Sequence, residues 1–202
     1  MFGDPVINPM GWEEVTVNDI VSAVRDGPHV SPKYSQEGIP ILSTRNIRPG
    51  KLIMEDVKYV SYETYLDLVK RFKPQCGDVL LTKGGTTGFA KTVDWDWPFT
   101  IWVHVAVLRP TDKIIPEFLE TALNSPNCYE QSQKYTHGIA NKDLGLTRIR
   151  KIKLSLPPIS LQKEFCNLQQ KLKVNLFTQD KSLTESNNLF NSLLQRAFKG
   201  QL

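Results

Sequence analysis

Cysteine is scarce in this chain and poorly placed for bonding. Cys76, Cys128 and Cys166 are scattered over 202 residues. Neither their odd number nor their wide spacing suits a disulfide framework or a CxxC zinc site. No apolar run approaches the roughly 18–20 residues needed to span a bilayer. The opening MFGDPVINPMGWEE has no basic stretch leading into an apolar one, so it does not read as a secretory signal. These absences predict a cytoplasmic protein with free thiols and no membrane association. Excess positive charge is also thin for a net charge of +4. Residues 158–202 hold 6 Lys and Arg against 3 Asp and Glu, whereas residues 1–157 hold 19 against 18. Any face that meets nucleic acid must therefore be a local patch, with acidic residues kept elsewhere. The best local candidate is KDLGLTRIRKIK, residues 142–153, with five basic residues against one acidic.

Catalytic motifs are missing as well. His29, His104 and His137 show no HExxH or related metal spacing. There is no GxSxG elbow. The run KGGTTG, residues 83–88, has phosphate-loop chemistry but not the Lys-Ser/Thr ending of GxxxxGK[ST]. It continues into FAKTVDWDW, which reads as strand, so no helix N-terminus is aimed at an anion. Asp56-Val57-Lys58 matches only the tail of a nuclease D…DxK pattern. Asp94 and Asp96 alternate with Trp95 and Trp97, which fits a strand or turn with one apolar face. No glycine fingerprint for S-adenosylmethionine and no NPPY-type tetrapeptide is present, so the chain does not read as an amino-methyltransferase.

Two regions of different character meet at LPPISLQ. Residues 1–157 look mixed. IPILST (39–44), DVLLT (78–82), TIWVHVAVL (100–108) and IKLSLP (152–157) are rich in β-branched and aromatic residues and predict strands. YETYLDLVKRF (62–72), IPEFLETALNS (115–125) and PNCYEQSQKY (126–135) predict helices, the second with Pro in its first turn. Gly and Pro punctuate the joints, and no internal repeat is visible. The expected class is α+β: one curved mixed or antiparallel sheet with packed helices, then a long coiled-coil helix. Residues 158–202 predict that helix. Gly and Pro are absent from Ile159 to Lys199, and apolar residues recur at spacings of three and four. Leu161, Phe165, Leu168, Leu172 and Leu176 form the stripe, which resumes with Leu183, Phe190, Leu193, Leu194 and Phe198. At 1.5 Å per residue the helix runs about 60 Å, more than a domain of this size covers, so the stripe is expected to meet a second helix. The weak helix formers of TESNN, residues 184–188, are expected to kink or loosen it.

Four segments together resemble the specificity subunits of type I restriction–modification enzymes. They are FGDPVINPMGWE, GDVLLTKGGTTG, GIANKDLG followed by IKLSLPPISLQKEF, and LFNSLLQRAFKGQL. Their order and spacing match over nearly the whole chain. A full subunit of that family has two target-recognition domains, each followed by a long helix. This chain carries one of each, which the resemblance reads as half a subunit: residues 1–157 as the DNA target-recognition domain, 158–202 as the conserved dimerisation helix. In this family an MFGDP-like segment often opens the second half, so a natural half subunit and a piece of a longer one both stand open. The resemblance implies a non-catalytic subunit that reads double-stranded DNA. It would hold modification subunits, which bind S-adenosylmethionine and methylate adenine, and restriction subunits, with no cofactor or metal of its own. A homodimer, or pairing with a second specificity half, would give a bipartite target.

Base reading needs donors and acceptors that reach the groove, Arg to guanine and Asn or Gln to adenine. Three polar loops supply them. STRNIRPGK offers Arg45 and Asn46. KGGTTGFAK offers Lys83, Thr86, Thr87 and Lys91. KYTHGIANK offers Tyr135, Thr136, His137, Asn141 and Lys142. Each has a structural alternative: Arg45 paired with an internal carboxylate, Thr86 and Thr87 closing a strand-to-strand turn, Asn141 capping a short helix. Two functional alternatives also stand, a small DNA-modifying or DNA-cleaving enzyme and an assembly module whose DNA face is degenerate.

Overall fold

The computed structural model describes residues 8–138 and 142–201. In chain order the elements are β1 (Glu13–Thr16), α1 (Val17–Ile20), β2 (Val21–Asp26), β3 (Tyr34–Ser35), β4 (Ile39–Leu42), β5 (Ile47–Arg48), β6 (Lys51–Leu52), β7 (Lys58–Val60) and α2 (Tyr62–Leu68). They continue with β8 (Val79–Thr82), β9 (Ala90–Thr92), β10 (Thr100–Ile101), β11 (Val105–Pro110), α3 (Pro116–Leu123), α4 (Pro126–Tyr135), α5 (Leu146–Ile149), β12 (Lys153–Leu156) and α6 (Ile159–Phe198). The chain is α+β as expected. Its strands are shared among several sheets rather than one: two four-stranded sheets, ordered β10-β4-β7-β3 and β2-β11-β8-β9, and two two-stranded ribbons, β1-β12 and β5-β6.

The chain forms two compact units, residues 1–162 and 163–202. In the first, the fully antiparallel sheet β2-β11-β8-β9 is the platform. Every residue of β8 and β9 is buried, as are the first four of β11. This explains why VLLT and VAVL read as unbroken apolar runs rather than alternating ones. Leu80 and Val107 of this sheet meet Leu42 and Ile101 of the other in one core, joined by Ile47, Val93, Phe99 and Val105. The single strand expected over 100–108 is therefore two. β10 pairs parallel with β4, and the chain turns at 102–104, with the Val105 N–H bonded to the Trp102 carbonyl, before entering the other sheet as β11. The outer edge of β9 is covered by α3. The Asn124 amide donates to and accepts from the Ala90 backbone at 2.9 Å each way, and the Glu120 carboxylate accepts from the Thr92 N–H. An open edge would otherwise invite pairing with another chain.

The ends of the first unit are closed by the β1–β12 ribbon, Glu13 opposite Leu156 through Thr16 opposite Lys153. Beyond it, Pro157 and Pro158 precede the first turn of α6, where a missing amide costs nothing. Gln162, in that turn, has no exposed surface. Its side chain accepts from the Ile115 N–H at 2.9 Å and donates to the carbonyls of Lys113 and Pro157 at 3.1 and 2.9 Å. One amide thus satisfies three backbone groups that no strand or helix would pair. A second lock is Asp78, 1% exposed, held bidentate by Arg109 at 2.8 Å twice. That carboxylate raises the Arg109 pKa through its hydrogen bonds, and the guanidinium lies 4.4 Å over the Phe72 ring.

The second unit is the remainder of α6. The 40-residue helix is continuous through TESNN, so the expected kink does not occur. Of the stripe, Leu161 and Phe165 are half-buried, whereas Leu168, Leu172, Leu176, Leu183, Phe190 and Leu194 are exposed. Leu193 and Phe198 of the stripe are exposed as well, and so are Val174, Phe177 and Leu189, which widen the apolar surface beyond the stripe expected from spacing.

Candidate nucleic-acid interface

The glycine run forms the connection between β8 and β9. The turn closes on Thr82, whose backbone accepts from Gly88 and whose hydroxyl accepts from the Phe89 N–H at 2.9 Å each. Gly85 and Gly88 hold φ of +70° and +91°, backbone that side chains rarely adopt. Gly84 is required for a different reason: a Cβ there would collide with the His104 imidazole packed over it. The chain leaves the turn as strand, so the loop has no helix dipole behind it.

A second loop, after α4, is knitted to this one. His137 and Asp143 exchange backbone bonds at 3.0 and 2.9 Å, Gly85 N–H donates to the Lys142 carbonyl at 2.9 Å, and Leu144 N–H donates to the Lys83 carbonyl at 2.8 Å. Side chains reinforce the pairing. The hydroxyls of Thr87 and Thr136 lie 3.0 Å apart, and Gln133 Nε2 donates to the Thr87 carbonyl at 3.0 Å. Beneath them Lys83 Nζ sits 3.3 Å from both Asp26 and Asp143. Asp143 also pairs with Arg148 at 3.4 Å, and Asp26 with His29 at 3.5 Å.

The predicted residues divide by this geometry. Thr86, His137 and Lys142 are exposed on the paired loops, and Tyr135 and Thr136 are half-buried. Lys83, Thr87 and Lys91 are 6%, 3% and 8% exposed, with their polar atoms turned inward. Lys91 Nζ lies 2.6 Å from Asp94 and 3.9 Å from Glu120. Lys83 and Thr87 hold the paired loops in shape, and Lys91 ties β9 to Glu120 of α3. Asn141 lies outside the described residues. Arg45 stands exposed on a short 3-10 turn, Thr44–Asn46. Asn46, 2% exposed, accepts from the Ser43 N–H and hydroxyl at 2.9 Å each and donates to the Ile53 carbonyl at 2.9 Å. Its amide is occupied in fixing the turn that presents Arg45. Two exposed side chains from other turns lie beside the paired loops and were not among the predicted contacts: His104 over Gly84, and His29 beside Asp26. Their only sequence signal was residue type.

Elsewhere, a cleft of about 800 Å³ is lined by Trp12, Glu13, Glu14, Asp19 and Lys113. Its acidic lining has the wrong sign for a phosphate backbone. Among the described residues, no group of three or more His, Cys, Asp or Glu is placed to hold a metal ion, and no helix is long and apolar enough to cross a membrane.

Comparison with known proteins bears directly on this surface. Residues 9–187 match a family model described as the type I restriction modification DNA specificity domain. The specificity subunit of the type I restriction enzyme EcoBI of Escherichia coli is 29% identical over 98% of this chain and 43% of its own length. The EcoKI specificity subunit of Escherichia coli strain K12 is 27% identical over 95% and 43%. The chain thus spans less than half the length of these relatives. In structure it resembles the HsdS subunit from Thermoanaerobacter tengcongensis, with a TM-score of 0.62 at 18% identity over 96% of this chain and 46% of that one. That likeness is one of fold.

Proposed function

This chain belongs to the type I restriction–modification DNA specificity domain family, and from that membership we propose that it is a non-catalytic reader of double-stranded DNA. The observation that carries the reading is the pair of interlocked loops, which spend Lys83, Thr87 and Thr136 on their own rigidity and leave Thr86, His137 and Lys142 outward. Rigid presentation matters because base discrimination rests on side chains held in register with the groove. Arg45, on its separately locked turn, is the candidate guanine reader. Lys142 and Thr86 suit phosphate oxygens. One recognition unit of this size reads one half-site.

The exposed apolar face of α6 supports the second part of the reading. We infer that it packs against the same face of a second copy, or of another specificity half, so that two recognition units address one bipartite target in the cytoplasm. Methylation, with its S-adenosylmethionine, and cleavage then belong to modification and restriction subunits assembled on this chain. Methylation on a stacked base requires that base to be flipped out, a task for the methyltransferase rather than the reader.

The test is the triple substitution Arg45→Ala, Thr86→Ala, Lys142→Ala, assayed in the complex with modification subunits. The reading expects methylation specificity to relax or be lost while the melting temperature holds. Unchanged specificity would point to an assembly module without a working DNA face. Methyl transfer or cleavage by the purified chain alone would point to an enzyme.

A further inference from the structure

The three histidines of the chain are far apart in sequence, yet the fold draws them to one place. His104 packs over Gly84, and its carbonyl accepts from the N–H groups of Lys83 and Gly84 at 2.8 and 3.3 Å. His29 pairs with Asp26, which pairs with Lys83. His137 is bonded through its backbone to Asp143, which also pairs with Lys83. All three are exposed. We propose that they form a phosphate-contacting rim around the glycine loop and take up protons as the DNA backbone docks. The proposal rests on the DNA-reading function argued above.

Charge accounting supports it. Among the described residues, ion pairs place Asp26, Lys83, Asp143 and Arg148 at the rim, and Lys142 and the half-buried Tyr135 flank it in the chain. The first four are two acids and two bases in mutual contact, and they cancel. Lys142 is left as the one fixed positive charge in that set, a weak foundation for binding a polyanion. Imidazole changes charge near neutrality, and an anion brought within about 4–6 Å favours its protonated form. A docking phosphate would therefore create the positive charge it needs.

Calorimetry on the full-length chain with a short duplex pool of random sequence, at low salt, tests this. Titrations near neutral pH in two buffers of different ionisation enthalpy report the protons exchanged. The proposal expects net uptake, with affinity rising about tenfold per pH unit for each proton taken up as pH falls from about 8 to about 6. The substitutions His29→Gln, His104→Gln and His137→Gln together should flatten that slope and remove the uptake, leaving the melting temperature in place. Should the triple variant fold poorly, His104→Gln alone is expected to reduce the uptake. Binding with no buffer-dependent heat, or a triple variant with wild-type uptake, overturns the rim. Absence of DNA binding at every pH instead overturns the DNA reading itself.

Discussion

Gln162 and Asn46 are amides with almost no exposed surface, Gln162 satisfying backbone groups of a distant segment and Asn46 those of its own turn. The consequences are testable. Gln162→Leu leaves the Ile115 N–H and two carbonyls without their partner, and is expected to lower stability by about 3 kcal/mol in denaturant melts. Full wild-type stability would refute the lock. Thiol chemistry gives a second check. Burial pushes the Cys128 pKa up to about 11, so its thiolate is about a thousandth of the total near pH 8. Cys76 is exposed. Native alkylation followed by mass spectrometry should label Cys76 at once and Cys128 only after unfolding. Residue type alone offered Lys83, Thr87 and Lys91 as candidate DNA contacts. What it could not show is that Asp26 and Asp143, respectively 57 and 60 positions from Lys83, would claim the first of them. Burial by a distant partner leaves no local mark in sequence, which is why Lys83 read as an outward contact.

At the scale of elements, local pattern served well where an element is defined by its own period or caps. α4 spans Pro126–Tyr135, as the proline and the preceding serine indicate, with the Ser125 hydroxyl accepting from the Cys128 N–H. β8 and β12 fall where β-branched and apolar runs place them. The pattern failed where one apolar run serves two sheets, as at Thr100–Ile101 and Val105–Pro110, because a change of sheet costs only a turn and both halves remain buried. The long helix was legible in length, less so in breadth. Its exposed face includes Phe177, 72% exposed, and Val174, neither on the expected stripe. An isolated helix is held chiefly by packing of its apolar face, so α6 should lose helicity on dilution. Leu172→Asp with Leu183→Asp is expected to convert a self-associating chain to monomer in sedimentation velocity. The cooperative melt of residues 1–162 should stay unchanged. A wild-type chain that is monomeric at every concentration would remove the pairing.

For the molecule as a whole, family membership is the ground for the proposal that it reads DNA. The α+β class and the division into a mixed unit and a helix were visible from composition, glycine and proline placement, and the heptad-like spacing. The pairing of the two candidate loops left no mark in the sequence, since it bridges Gly84 and Asp143, 59 positions apart. Arg45→Ala alone is expected to cost about 1–3 kcal/mol of discrimination at one base position, while Lys142→Ala should weaken binding across all sequences and flatten its salt dependence. The central claim, that this chain reads sequence, is tested most directly by selecting duplexes from a randomised pool with the chain assembled on its modification subunits. The account predicts enrichment of a short motif that recurs as an inverted repeat across unread base pairs. A recovered pool with no position enriched over the input would contradict it.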